Sequence, residues 1–330
     1  MREIRYLQAL REAIQLEMQQ DENVFVIGED VRHSLRGATK NLIKEFGEKR
    51  VIDTPISEAA FTGMATGAAM AGLRPIVEYQ ISALIYVAFD QLINQAQKLP
   101  YMMGGQGSVP VTYMVIGSGA RSGLAGQHSD HPYPFLVHAG MKTVIPSTPY
   151  DVKGLMASAI RDNDPVMFFA PAKVLAMKGP VPEEPYTIPF GIGEIKRQGV
   201  HVTVAATGHL VHDALKVAET LDKEGISIEV YDPRTLLPFD KKTLLQSVRK
   251  TGRLIVFDDS NRTCGFAAEV ASLVAEEGFH DLKAPIKRVT RADVPVPFHL
   301  GMENFVIPKG EDLVRAIYQI MQSKSEDAVI

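Results

Sequence analysis

The sequence has little cysteine and no excess of basic residues. Cys264 is the only cysteine among 330 residues, so no intramolecular disulfide or thiolate metal site can form, which fits a reducing compartment. Lys and Arg number 35 against 39 Asp and Glu. The resulting net charge of −4 gives no electrostatic reason to expect nucleic acid or a membrane surface as a partner. No uncharged apolar run reaches the ~18 residues of a membrane span. We expect a soluble cytoplasmic protein.

Phosphate-loop fingerprints are also missing. The sequence contains no GxxxxGK[ST], and no GxGxxG between a strand and a helix, which excludes the usual mononucleotide and dinucleotide loops. The glycine-rich run GSGARSGLAG, residues 117–126, is therefore interpreted as a flexible loop at an active site or a subunit contact.

Apolar strand-like runs alternate with helical patterns through most of the chain. This alternation predicts an α/β protein with mostly parallel sheets covered by helices. A proline-rich segment, PAKVLAMKGPVPEEPYTIPFG, interrupts it and holds five of the 20 prolines. We interpret that segment as the end of a first domain, residues 1–190, and the alternation resumes in a second, residues 191–330.

The stretch DTPISE ends a short predicted strand and opens a helix of small residues, Ser57–Gly72. Glu58 lies in the first turn of this helix, where a carboxylate is favoured by the helix dipole alone. Such a carboxylate also lies at the carboxyl end of a parallel strand, where open α/β sheets bind ligands. The small residues suit either tight packing inside the domain or contact with a second subunit.

The stretch GQHSDHP places two of the nine histidines, His128 and His131, three residues apart. A zinc site is disfavoured because no cysteine is near and no third histidine has ligand spacing. General acid–base work suits a histidine in a glycine-rich loop better, because its pKa lies near neutrality. Two surface histidines without a role are the competing interpretation.

Several further segments, in this order along the chain, resemble one family. They are GED, RVIDTPISE, AFDQLINQAQK, the QHS of the histidine stretch, PSTPYDVKGL, AIRDNDPV, YTIPFG, DPRTLLPFD, KTGRL and DVPVPF. The chain resembles the β subunit of the thiamine-diphosphate-dependent first component of 2-oxoacid dehydrogenase complexes. That family includes pyruvate, branched-chain 2-oxoacid and acetoin dehydrogenases.

The resemblance implies a transketolase-like pyrimidine-binding domain followed by a transketolase-type C-terminal domain. It makes Glu58 the cofactor-activating glutamate, whose proton is shared with a nitrogen of the aminopyrimidine ring. It makes His128 the residue that transfers protons and orients the substrate or the lipoyl group. Leu84 and His128 would line the cofactor together with Glu58, and His131, which has no counterpart, is expected at the entrance.

The resemblance also implies a structural potassium ion bound by backbone carbonyls. By correspondence these belong to Val111, Ala159, Ile160, Asp162 and Asp164.

A partner is implied by another absence. Family α subunits carry a GDG…N motif that holds magnesium and the diphosphate, and no GDG occurs here. The resemblance therefore implies an α subunit that holds Mg²⁺, an assembly of two α and two β chains, and docking to a lipoyl acyltransferase core.

Five residues depart from the family pattern: Leu84, Met114, Asp130, Ala170 and Leu175. They put the substrate in doubt and leave a non-catalytic scaffold subunit, bridging α chains to the core, as the alternative to a catalytic subunit. The segments VPEEPYTIPFG and LKAPIKRVT look most like acetoin-type members, so acetoin is favoured as the substrate, then pyruvate.

Overall fold

The computed structural model describes residues 1–120 and 123–322. Within these ranges the chain forms two compact units. The first contains residues 1–120 and 127–190, and a short return at Leu236–Pro238. The second contains residues 123–126, 191–235 and 239–322. The predicted α/β class is confirmed in both units.

The described strands are β1 (Arg2–Arg5), β2 (Val24–Gly28), β3 (Val51–Asp53), β4 (Arg74–Tyr79), β5 (Thr112–Ser118), β6 (Lys142–Val144), β7 (Val166–Pro171), β8 (Lys178–Val181), β9 (Glu194–Arg197), β10 (Val202–Ala206), β11 (Ile228–Asp232), β12 (Thr235–Leu237), β13 (Leu254–Asn261) and β14 (Lys287–Arg291). The described α-helices are α1 (Tyr6–Gln20), α2 (Leu42–Phe46), α3 (Glu58–Met70), α4 (Leu99–Met102), α5 (Ala125–His128), α6 (Tyr133–His138), α7 (Pro149–Arg161), α8 (Leu210–Asp222), α9 (Lys241–Thr251), α10 (Phe266–Glu277), α11 (Leu300–Val306) and α12 (Gly310–Gln322). Short 3₁₀ turns lie at Ser82–Tyr86, Ala172–Val174 and Phe279–Asp281, and a π-helix at Gln91–Gln97.

The first unit is built on a seven-stranded sheet with the order β12-β6-β7-β5-β4-β2-β3. The strands from β6 to β3 pair in parallel. Every residue of β2, β5 and β7 is buried, as expected for a parallel sheet with helices on both faces. Leu10 and Ile14 of α1 and Leu155 and Met156 of α7 belong to one core cluster with these strands.

The small-residue helix α3 has two different faces. Phe61, Ala65 and Ala69 are buried, whereas Met64 and Met70 are about half exposed, at 50% and 46%. A Cβ added at Gly67 would meet nothing within 4 Å. One face therefore packs inside the unit, and no packing against residues 1–120 or 123–322 requires the glycine on the other face.

The second unit is built on a five-stranded sheet with the order β14-β13-β10-β11-β9. The strands pair in parallel except for the antiparallel pair of β11 with β9. Helices α8 and α12 bury Leu210, Leu221, Leu313 and Ile317 in its core. Cys264 precedes α10 and its side chain is exposed.

Among residues 1–120 and 123–322, no helix is long and apolar enough to cross a membrane.

A close approach of backbones fixes the end of β2. Gly28 has φ +155°, and a Cβ at this position would lie 2.5 Å from the carbonyl oxygen of Glu78 on the neighbouring strand β4. A side chain here has to push apart two hydrogen-bonded strands.

We expect Gly28→Ala to lower the free energy of unfolding of the first unit by about 1–3 kcal/mol, since it overpacks this contact. Gly67→Ala, the matched control, places the same methyl group in open space on a helix and should raise that free energy by up to about 1 kcal/mol. Urea titration of the purified chain by circular dichroism measures both. Equal effects of the two substitutions would contradict this account of Gly28.

Candidate active site

The candidate residues of the first unit follow three of the four consecutive strands β5-β4-β2-β3, at the carboxyl edge of its sheet. Glu58 comes after β3, Leu84 after β4 and His128 after β5. The chain runs from β2 to β3 on one side and then returns to β4 on the other side of β2. The switch point of the sheet thus lies between the ends of β2 and β4, where open α/β sheets form ligand crevices.

Glu58 is the first residue of α3 and is only 5% exposed. Its side chain is hydrogen-bonded to that of Glu29, which directly follows β2 at the switch point. The pKa of Glu29 is raised to about 7 by burial, by the charge of Glu58 and by this hydrogen bond, with a smaller effect of Asp30. A pKa near 7 leaves the Glu29 carboxyl partly protonated at neutral pH, where it lies against the carboxyl of Glu58.

A second buried acid lies next to this pair. Glu78, in β4, is fully buried, and burial raises its pKa to about 7 against the opposing effects of Gln80 and Arg36. The Gln80 side-chain amide donates to the backbone oxygen of Glu29 (2.8 Å) and to Oε1 of Glu78 (3.2 Å). Gln80 therefore ties the Glu29 backbone to a carboxyl that is partly protonated at neutral pH.

The sequence reasoning missed Glu29, Glu78 and Gln80 as site residues. The signal for Glu29 was the acid that directly follows the apolar run VFVIG, at a strand end. The signal for Glu78 was a carboxylate inside the strand RPIVEY, which is buried from its second residue onward. A charged side chain in a strand covered on both faces needs a partner or a raised pKa, and either marks a site candidate.

The histidine stretch divides into one exposed and one buried ring. His128 ends the short helix α5 and is exposed. His131 is only 4% exposed, and its Nε2 lies 3.0 Å from the Ser118 hydroxyl at the end of β5. The expectation that His131 lines an entrance is therefore wrong for this unit taken by itself, because the ring is buried beside β5.

Four of the five departures from the family pattern illustrate their different environments. Asp130 accepts a hydrogen bond from the hydroxyl of Tyr86 (2.5 Å), and Leu84 is half-buried in the turn after β4. Met114 and Ala170 are fully buried in β5 and β7 and belong to the apolar core. Substitution at those two positions alters packing and gives no reason to infer a loss of chemistry.

The residues predicted to bind potassium lie at the opposite, amino edge of the sheet, where Val111 precedes β5 and Asp164 precedes β7. The carbonyl oxygens of Ile160 and Asp162 both accept from Nη1 of Arg74, at 3.1 and 3.0 Å. Those two oxygens therefore converge on a cationic group.

Two of the other predicted carbonyl ligands also accept hydrogen bonds. The Val111 and Ala159 carbonyls accept from backbone N–H groups, and Lys142 contacts the Asp162 and Asp164 carboxylates at 2.8 Å. In the part of the chain that the structure describes, no group of three or more His, Cys, Asp or Glu side chains could hold a metal ion.

Comparison with known proteins identifies both units. A model of the transketolase pyrimidine-binding domain matches residues 2–177, and a model of the transketolase C-terminal domain matches residues 191–313. The chain also superposes on a solved split-gene transketolase, an inactive β4 tetramer, with a TM-score of 0.79 at 20% identity, covering 97% of this chain and 99% of that one. At this identity the likeness defines the fold. The class is therefore a chain of two transketolase-type domains.

Relatives of known activity show which family within this class the chain belongs to. The chain is 45% identical to the β subunit of acetoin:2,6-dichlorophenolindophenol oxidoreductase from Bacillus subtilis, over 95% of this chain and 96% of the relative. It is 42% identical to the pyruvate dehydrogenase E1 β subunit of Rickettsia felis (95% and 97%). It is 37% identical to the 2-oxoisovalerate dehydrogenase β subunit of Bacillus subtilis (96% and 98%). The chain belongs to the family of E1 β subunits of pyruvate, branched-chain 2-oxoacid and acetoin dehydrogenase complexes, which confirms the resemblance seen in the sequence.

The raised pKa of Glu78 makes stability depend on pH. Between pH 4.5 and about 7 the folded state keeps a proton that the unfolded state has lost, so the free energy of unfolding falls as pH rises. The loss amounts to roughly 3 kcal/mol for a shift of this size. Glu29 adds a dependence of the same sign.

We expect Glu78→Gln to flatten this dependence, because a neutral amide neither binds nor releases the proton. Urea unfolding of the wild type and the variant between pH 5 and 8 measures the slope. Glu219→Gln, on the exposed face of α8, should keep the wild-type slope. An unchanged slope in Glu78→Gln would show that Glu78 does not titrate in this range.

Proposed function

We propose that the chain is the catalytic β subunit of a thiamine-diphosphate-dependent dehydrogenase component. The component cleaves acetoin or a 2-oxoacid and transfers the resulting unit to a lipoyl group of an acyltransferase core. The observation that carries this proposal is the hydrogen-bonded pair of Glu29 and Glu58 at the switch point of the first unit. Names of full-length relatives support catalysis over the scaffold alternative.

The acid pair suits the aminopyrimidine end of thiamine diphosphate. Glu58 is buried, and Oε1 of Glu29 is buried without a hydrogen-bond partner in the described chain, so an acceptor remains for a ligand. When bound, the cofactor supplies an electron sink for cleavage of the bond next to the substrate carbonyl. Glu58 would share its proton with a ring nitrogen, and Glu29 would keep that proton available at neutral pH.

Two further residues would complete the site on this chain. Leu84 is half-buried in the turn after β4 and would give an apolar surface beside the cofactor. His128 is exposed, so its ring is free to exchange protons with the substrate and with an incoming lipoyl group.

The diphosphate end requires a partner. Because the sequence lacks GDG, we propose that an α subunit holds Mg²⁺ and the diphosphate, in an assembly of two α and two β chains. The relatives are themselves named β subunits, which supports a partner. The outer face of α3, with its half-exposed Met64 and Met70, is a surface suited to subunit contact.

Acetoin is the substrate that we favour, followed by pyruvate. The two relatives named for acetoin are 45% and 42% identical, whereas the 2-oxoisovalerate dehydrogenase relative is 37% identical. The single cysteine supports placing the protein in the cytoplasm.

For potassium, the carbonyls of Val111, Ala159, Ile160, Asp162 and Asp164 offer oxygen donors suited to a hard cation. Since Arg74 already donates to two of them, a potassium ion would use their second lone pairs. We assign the ion a structural role only.

Glu58→Gln should lower kcat for dye reduction by about 10²-fold or more, because the amide cannot share the required proton. The variant would be co-expressed with the α subunit and assayed with acetoin, pyruvate and branched-chain 2-oxoacids. Glu219→Gln, an exposed acid-to-amide change, is the control and should retain wild-type activity. Full activity of Glu58→Gln would remove Glu58 from the mechanism. Intact assembly of the wild-type chains without thiamine diphosphate binding would favour the scaffold alternative.

His128→Ala should impair acyl transfer to lipoyl acceptors by about 10²-fold while leaving dye reduction less affected. The comparison uses the same assembled protein with a lipoyl domain and with a dye as acceptor. His138→Ala changes another exposed histidine, on α6, and should leave both rates unchanged. Unaltered transfer to the lipoyl domain in His128→Ala would exclude His128 from that step.

A further inference from the structure

A cavity of about 620 Å³ lies in the second unit, between the edge strand β14, helix α12 and the chain after α11. Its lining includes four basic side chains besides the ion-paired Arg291: Arg262, Lys287, Arg288 and Arg315. Among the described residues, Asp312, which is paired with Arg315, is the only acidic one in the lining. This is a marked excess of positive charge in a chain whose net charge is −4.

Two of these arginines are hydrogen-bonded to each other's backbone. Arg262 Nη1 donates to the backbone oxygen of Arg288 (3.1 Å), and Arg288 Nη1 donates to the backbone oxygen of Arg262 (3.0 Å). These bonds orient both groups, and within the described residues neither arginine forms an ion pair. The carboxylate of Asp293, which is not part of the cavity lining, offsets the charge of Arg262 in part: its pKa is lowered by hydrogen bonds from Thr263 and, more weakly, by Arg262.

The remaining lining residues complete an asymmetric cavity. Arg291 is paired with the buried Asp259 (3.1 Å), so it stiffens the wall and adds no free charge. Val306, Ile307 and Ala316 form an apolar wall, and the ring of Phe305 is 88% exposed. The cavity thus combines the basic side chains of Arg262, Lys287 and Arg288 with the exposed aromatic ring of Phe305.

We propose that this cavity binds a nucleoside phosphate. Guanidinium groups bind phosphoryl oxygens with strong, charge-assisted hydrogen bonds. An exposed aromatic ring stacks on a planar base. The volume is in the range of small-molecule sites in proteins. None of these residues takes part in the function proposed above, so the two proposals can be tested independently.

The test is calorimetric titration of the full-length chain with ADP, pyrophosphate and adenosine at fixed salt. We expect ADP to bind more tightly than pyrophosphate, and adenosine to bind weakly. Arg262→Gln and Arg288→Gln should each weaken ADP binding by about 10-fold or more. Lys287→Gln, whose side chain donates no hydrogen bond in the described part of the chain, should weaken it without risk to the fold.

Two further variants separate the nucleoside from the phosphate. Phe305→Ala should weaken ADP by about 5-fold or more and leave pyrophosphate unchanged. Arg11→Gln removes the same charge from a basic cavity of the first unit, lined also by Arg5 and Lys40, and should change ADP binding less than 2-fold. Glu58→Gln should have no effect on ADP.

Three outcomes would overturn the proposal. They are the absence of ADP binding at millimolar concentration, an equal loss in Arg11→Gln and Arg288→Gln, and equal affinities for ADP and pyrophosphate that Phe305→Ala does not alter. The second would indicate a general charge effect, and the third would indicate adventitious anion binding.

Discussion

The contact between two carboxyl groups at the end of β2 constrains the rest of the candidate site. Glu29 and Glu58 come from different strand ends, and each is favoured next to the other only while a proton lies between them. Their meeting requires β2 and β3 to end at the same level, which the parallel register of Gly28 with Asp53 provides. The fold thus keeps the Glu29 carboxyl partly protonated at neutral pH, although the ordinary pKa of a glutamate lies well below it.

This constraint extends into the neighbouring strand. Gln80 fixes the backbone of Glu29 and one oxygen of Glu78, so three acids depend on the position of β4. Water is largely excluded from Glu58 and Glu78, and burial is the main cause of the raised pKa of Glu78. Chemistry that needs a protonated carboxyl at neutral pH is better served by such a group than by an exposed glutamate.

Much of the fold could be predicted from sequence, because apolar runs alternating with amphipathic runs directly indicate parallel sheets. Glu58 could be selected as a candidate site residue from sequence, since strand, proline and small-residue helix follow one another in a single stretch. The strand order could not be read, and neither could the return of Leu236–Pro238 to the first unit, because both are non-local pairings. The burial of Glu78 and His131 could not be predicted either, because it depends on which elements cover them and not on the residues next to them in the sequence.

The exposed position of Cys264 before α10 has a practical consequence. With one thiol in the whole chain, a maleimide dye or a spin label would attach at a single, known point of the second unit, without any engineering of the sequence. A reporter there could follow the opening of that unit separately from the first, so the order in which the two lose their structure becomes directly observable.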